Sequence, residues 1–418
     1  MRRTMRRTIL TAELAALLGS PACGGPPAPA TCSVASGDPA ATSQLESGNR
    51  DFALALYGPI TGAANGNAFF SPYSISSALA MIAAGANGTT ASQLWSVLGL
   101  PGSAGDGMTA GVAFANLDCA VRTDGSSNGN QLNLANAVYG QKGFAFEKSF
   151  MTLLSADYGA PLRTEDFEGD PTGATSDING WVSQETDGKI PTLLSPGIID
   201  AATRLVLVNA IYFKGHWATQ FNPMETENAP FTTAAGAQVS VPTMENYYVT
   251  PASYAATADY AVAELPYTGG QVAMDIVLPS GDAGLAAVEA ELDGGAFLAG
   301  LSPRALQVFL PRFQISQSIE LIPTLEGLGI QDAFNPATAD FSGMDGARDL
   351  VIGFVVHQAV ISVDETGSTA AAATAGGAVT LSANIGLPFI VDHPFLFFIR
   401  DLPTSTILFA GQIDDPSQ

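Results

Sequence analysis

The chain has 418 residues, 47% apolar and only 13% charged, which is ample for a large core and excludes a disordered chain. Its 16 basic against 39 acidic residues give a net charge of −23. That argues against nucleic acid, heparin-like polyanions and acidic membranes as partners, since all need a dense basic patch.

Residues 1–23 run against this acidity. Arg2, Arg3, Arg6 and Arg7 precede an apolar stretch from Ile9 to Leu18, interrupted by Glu13, and small residues follow to Cys23. Positive, apolar, then small is the order of a secretory signal, so export is expected, whether to the medium, the periplasm or an outer-membrane anchor. Cys23 before Gly24 and Gly25 fits a bacterial lipoprotein site with a lipid anchor, although Ser20-Pro21-Ala22 lacks the Leu expected three residues ahead. Residues 24–48 are rich in Pro, Ala and Ser and read as a tether, which places the folded domain over 49–418. Three cysteines make no disulfide framework. With Cys23 lipidated, Cys32 and Cys119 could pair only if the tether reaches back, and a buried thiol at Cys119 is the simpler expectation. His216, His357 and His393 are scattered without metal-ligand spacing, so neither metal nor cofactor is expected.

Ser71-Pro72 is a helix start, with Ile75, Leu79, Ile82 and Ala83 at helical spacing and Gly85 and Gly88 as stops. Thr90 and Gln93 fit a capping box for a helix carrying Leu94, Trp95 and Leu98. Cys119 to Gln131 reads as a polar loop. It holds Gly125-Ser126-Ser127-Asn128-Gly129, a formal G-x-S-x-G, but a nucleophile elbow needs a strand before it and a helix after it. Leu205 to Phe213, Gln271 to Leu278 and Phe395 to Ile399 are apolar runs of strand length, suited to sheets covered on both faces. Val351 to Val363 is the longest strand signal, with Val355, His357, Ala359, Ile361 and Val363 on one face. Helices dominate early and strands late, which predicts a single α+β domain.

That strand runs into Asp364-Glu-Thr-Gly-Ser-Thr-Ala-Ala-Ala-Ala-Thr-Ala-Gly-Gly-Ala-Val379. Past Gly367 every side chain is small and uncharged. Such a run is commonly a linker, yet nothing in it is too bulky to slide between two strands.

Several blocks resemble the serpin family, in the family's order, from about Asn49 to Pro416. They are Asn67-Ala-Phe-Phe-Ser-Pro-Tyr-Ser-Ile75, Ile178-Asn-Gly-Trp-Val182 with Thr186 to Ile190, and Leu207-Val-Asn-Ala-Ile-Tyr-Phe-Lys-Gly215. Leu310-Pro-Arg-Phe313, Glu365-Thr-Gly367 with the alanine run, and His393-Pro-Phe395 leading to Ile407-Leu-Phe-Ala-Gly411 complete the set. The resemblance implies a monomer with three β-sheets, about nine helices and an exposed reactive loop over about 365–392. In inhibitory members that loop is left out of the main sheet, so the fold is metastable. A protease attacks the loop and forms an acyl-enzyme. The cut loop then inserts and carries the protease away before deacylation, so the serpin supplies no catalytic residue.

Residue by residue, the resemblance makes Glu365, Gly367, Ser368, Ala370, Ala371 and Ala372 the hinge, with Ser368, Ala370, Ala372 and Thr374 facing the sheet interior on insertion. Gly376-Gly377 departs from a good strand and costs conformational entropy. Ser71, Ser74, Asn209 and His357 fall where serpins keep a polar network beneath the opening sheet. Arg312 and Glu365 match a salt bridge at the top of the loop, and Trp181 matches the tryptophan at the insertion point. Counting from the hinge puts the scissile bond at Leu381-Ser382, suited to chymotrypsin-like or subtilisin-like proteases. Counting back from His393-Pro394 gives Ala383-Asn384, an elastase-like site. Papain-like cysteine proteases stay open as further targets. The competing functions are a non-inhibitory serpin acting as an extracellular binding or surface protein, and an enzyme with an unrecognised site, for which no nucleophile and base are positioned.

Overall fold

The computed structural model describes residues 37–64, 66–246, 250–281, 284–368 and 386–418. The N-terminal helix begins earlier than the expected tether boundary at residue 48. Asp38 caps it through a side-chain bond from the Ala40 amide, Pro39 opens it, and Pro39–Ala63 buries Leu45, Phe52, Leu56 and Ile60. An Asx cap and a proline at the first turn start a helix regardless of the small residues around them. The Ser71 start is as expected: its hydroxyl accepts from the Ser74 amide at the head of Pro72–Ala83.

The six-stranded sheet positions everything that follows. Its order is Phe313–Glu320, Val355–Asp364, Gly367–Ser368, Leu205–His216, Gln131–Gln141 and Arg163–Glu165. Odd-numbered residues of the Leu205–His216 strand, Leu207, Asn209, Ile211 and Phe213, face the main core, and even-numbered Val206, Val208 and Ala210 face a second one. The helix Pro171–Glu185 covers that second face with Ile178 and Val182. Both faces are therefore dry, which is why the strand reads as a continuous apolar run.

The remaining ten strands form one sheet among the described residues, nine of them along a single hydrogen-bonded path and Leu387–Ile390 off it, parallel to Ser302–Pro311. Ser302–Pro311 pairs with Thr250–Ala256 through its first half and with Gln238–Glu245 through its end. That strand joins into a single path what the resemblance counts as two sheets. Nine α-helices occur among the described residues.

The expected 119–131 loop is mostly helix: Gly107–Gly125 runs through it, and only 126–130 is turn. Arg122 near its end and the buried Leu117 and Val121 continue the helical spacing where composition alone suggested a loop. Cys119 is disulfide-bonded, which corrects the expectation of a free thiol; the chain's other cysteines, Cys23 and Cys32, lie outside the described residues.

Candidate functional site

Two long strands meet at the centre of the sheet in two different ways. Over their lower part Val355–Val360 pairs in parallel with Leu207–Tyr212. At the top the short Gly367–Ser368 strand lies between them, antiparallel to both: Ser368 faces Val363 and Gly215, and Gly367 faces Asp364 and His216. The chain thus turns back at Glu365-Thr366 and starts a new central strand, two residues deep.

The turn is built locally. Asp364 Oδ1 accepts from the Thr366 amide at 2.8 Å and its hydroxyl at 2.7 Å, an Asx turn. Gly367 has φ +150°, and a Cβ there would stand 1.8 Å from the Gly215 carbonyl oxygen. Two backbones approach at that point more closely than any side chain allows.

Aromatic rings floor the seat. Tyr267 and Ser368 share a hydrogen bond at 2.6 Å, both groups fully buried. Trp217 stacks on Tyr267 with centroids 4.7 Å apart and rings 7° from parallel. The same indole donates Nε1–H to the Asp364 carbonyl at 2.9 Å, and the Trp217 amide donates to the Thr366 carbonyl. Burial pushes the Tyr267 hydroxyl well above its usual range, so it stays protonated and able to donate.

Above the seat, Arg312 Nε donates to Glu365 Oε1 at 2.8 Å, and Arg312 Nη2 and the Thr226 hydroxyl bond the same oxygen. Burial pushes the Glu365 carboxyl up, but these hydrogen bonds outweigh it and the net shift is downward. Glu365 is buried while Arg312 is 42% exposed, so the pair contributes about 1 kcal/mol rather than a deep-core value.

Lower down, the polar network spans the parallel pair. His357 and Asn209 are direct partners in the register. His357 Nδ1 donates to Asn209 Oδ1, and its Nε2 accepts from the Ser71 amide at 3.0 Å. Both nitrogens are occupied only in the neutral ring, and burial lowers the His357 pKa to about 3. Asn209 Nδ2 donates to Ser74 Oγ at 2.7 Å and to Asn136 Oδ1 at 2.8 Å. Ser71 Oγ donates to the Leu408 carbonyl at 2.6 Å, tying the network to the other sheet.

Ser71, Ser74, Asn209 and His357 are therefore brought together, and Arg312 meets Glu365. Trp181, expected from the resemblance at the insertion point, does not touch the Gly367–Ser368 seat. It sits on the Pro171–Glu185 helix, edge-on to Tyr139 at 5.9 Å and beneath the Arg163 guanidinium at 4.7 Å. Trp217 holds the position assigned to it; it stands two residues past the Leu207–Gly215 block, and that adjacency was the available signal. Asn136, which completes the network, was also missed, because only the cross-strand register with Asn209 reveals it. Ser127 forms no catalytic site: its hydroxyl donates to the Asp124 carbonyl and accepts from Asn128 Nδ2, neither a general base. Ala370, Ala371, Ala372, Leu381, Ser382, Ala383 and Asn384 lie outside the described residues.

Comparison with known proteins agrees with this geometry. A family model described as Serpin (serine protease inhibitor) matches residues 47–416. Leukocyte elastase inhibitor A of Mus musculus is 40% identical over 383 residues, covering 89% of this chain and 100% of that relative. The leukocyte elastase inhibitor of Homo sapiens is 39% identical over the same shares. Serpin48 of the insect Tenebrio molitor superposes with a TM-score of 0.79 at 30% identity, over 89% of this chain and 98% of that one. Arabidopsis AtSerpin1 in its native stressed conformation gives 0.78 at 28%, over 90% and 99%. A short Gly367–Ser368 strand between Val355–Asp364 and Leu205–His216, above their direct parallel pairing, is thus found in a chain that belongs to the serpins, the serine protease inhibitor family.

Proposed function

We propose that this protein inhibits serine proteases by covalent trapping, with insertion of the cut loop between Val355–Asp364 and Leu205–His216. The single observation that supports this best is the register. Ser368 pairs with Val363 and Gly215, while the two flanking strands pair directly below. Continued by alternate residues, Ala370 falls between Ile361 and Phe213, and Ala372 between Ala359 and Ile211. Thr374 falls between His357 and Asn209, and Gly376 between Val355 and Leu207. The two flanking strands match each other in the same register, so one incoming strand satisfies both. Each of these inward-facing side chains is small, and the polar one below Ser368, Thr374, arrives where a polar pair must part. Its hydroxyl offers a partner to groups that the parting leaves without one.

Insertion converts a parallel contact into two antiparallel ladders, adding backbone hydrogen bonds and buried methyl groups. That gain drives the attached protease away from its substrate-bound position, in a race against deacylation. The protease supplies the nucleophilic serine. We place the scissile bond at Leu381-Ser382. The relatives' names, leukocyte elastase inhibitors, support an elastase-like target and keep Ala383-Asn384 as the second choice. Export of the mature protein, with Cys23 lipidated or not, belongs to the same proposal.

The test is incubation with chymotrypsin and with an elastase, followed by denaturing electrophoresis and mass spectrometry of the released C-terminal peptide. A denaturation-resistant complex with a peptide starting at Ser382 or Asn384 is expected. Clean cleavage by both enzymes without a complex would refute trapping and leave a substrate-like loop, the non-inhibitory alternative.

A further inference from the structure

We propose that Asp124 and Asp401 share one proton, and that this carboxyl–carboxylate clasp fastens the end of the Gly107–Gly125 helix to the hairpin of Phe395–Asp401 and Thr406–Ile413. Asp401 is fully buried. Its Oδ2 accepts from the Thr404 amide at 3.1 Å and the Thr404 hydroxyl at 2.5 Å. Its Oδ1 is buried without a donor among the described residues. The group within hydrogen-bonding reach is the Asp124 carboxyl, on the last turn of the helix.

Two carboxylates in contact cannot bond, and a buried anionic oxygen without a donor is costly. One proton between them turns the contact into a short charge-assisted hydrogen bond. Among the described residues, the neighbouring arginines are engaged elsewhere. Arg122, two residues earlier on the same helix, bonds Asp118 at 2.5 Å, and the Tyr73 hydroxyl donates to Asp118 at 3.0 Å. Arg400, the neighbour of Asp401, is engaged by Asp275 and Glu264. Burial, with the Asp124 carboxyl next to it, raises the Asp401 pKa to about 6, and burial raises Asp124 as well.

A carboxyl raised on folding adds stability that is complete below the unfolded value, about 3.9, and lost as pH rises through the folded one. The clasp is thus closed in mild acid and open at neutrality. Its location gives that a consequence. Ser127 Oγ donates to the Asp124 carbonyl, and the Asn130 amide donates to the Ser127 carbonyl at 2.9 Å. Asn130 Oδ1 then accepts from the His216 amide at 3.0 Å, and His216 is the partner of Gly367. The helix end is thereby linked by consecutive hydrogen bonds to the hinge seat, a link whose effect on trapping rests on the function proposed above.

The test is the urea midpoint of the full chain and of Asp401→Asn between pH 4 and 8. The carboxamide donates to Asp124 permanently and does not titrate. The variant's stability relative to the wild type should rise between pH 4 and 6, by up to about a hundredfold in the folding equilibrium, and be flat above. His357 and Asp275 titrate alike in both proteins and cancel. Should Asp401→Asn fail to fold, Asp124→Asn poses the question from the less buried partner and should give a rise in the same direction. A difference independent of pH, or a variant weaker at every pH, overturns the clasp. This readout needs no protease, so a rise without trapping counts against the inhibitory reading alone, and trapping with a flat difference counts against the clasp alone.

Discussion

Ser368→Arg separates cleavage of the loop from its insertion. The Ser368 side chain is fully buried, 2.6 Å from the Tyr267 hydroxyl, with Trp217 stacked on that ring and Phe213 packed edge-on against it. Nearby carboxylates are committed: Asp364 holds Thr366, and Glu365 holds Arg312. A guanidinium in this seat would be a desolvated charge without a partner, which costs several kcal/mol. In the resting molecule it avoids that cost by staying in solvent, at the loss of one buried hydrogen bond and a two-residue ladder, about 1–2 kcal/mol. Insertion offers no such escape. Even about 3 kcal/mol at the insertion barrier slows it on the order of a hundredfold, whereas acyl-enzyme hydrolysis is untouched. The expected outcome is cleavage at the wild-type rate with nearly all complex lost. It is read by titrating active protease against inhibitor and by gel electrophoresis, with Ser368→Thr as the small-residue control. An undiminished complex yield in Ser368→Arg would falsify the idea that Ser368 leads the inserted strand through this seat.

Gly376→Ala should raise the fraction of protease trapped. At the level of Val355 and Leu207 it removes about 0.5–1 kcal/mol of strand-entropy penalty, and an unchanged or higher inhibitor-to-protease ratio would contradict the register. Glu365→Gln should weaken the top of the loop by about 1 kcal/mol. Because the folded Glu365 pKa is depressed, that contribution is present above the unfolded value, about 4.3, and fades as pH falls through the folded one. Wild type and variant melting curves should therefore converge in acid. His357, held neutral with a pKa of about 3 against about 6.5 unfolded, makes stability fall as pH drops from about 6.5 toward 3. His357→Gln should flatten that part of the urea-midpoint profile, and an unaltered acid slope would exclude His357 as its source.

The fold was legible where one strong pattern decides it. Val355, His357, Ala359, Ile361 and Val363 alternate along a strand that lies in the sheet with that face inward. Ser71-Pro72 caps a helix because the cap is a local hydrogen bond, independent of anything distant. What escaped notice depends on partners far away in the chain. Asn136 looks like any strand asparagine until its register opposite Asn209 is known. Trp181 lies inside one recognisable block and Trp217 just past another, and composition does not rank them. The structure does so because only Trp217 reaches the Asp364 and Thr366 carbonyls.

Metastability itself is nearly invisible in sequence, and the reason is physical. A strand that must later slide between Val355–Val360 and Leu207–Tyr212 has to be small and uncharged, which is also the composition of a linker. The difference lies in what the loop would enter. The seat holds Gly367 at a backbone approach only glycine tolerates and gives Ser368 a buried hydroxyl partner. Below it, a neutral histidine and an asparagine bridge the strands that must separate. A passive linker has no use for a matched register, so the sheet, more than the loop, identifies the loop as an absent strand.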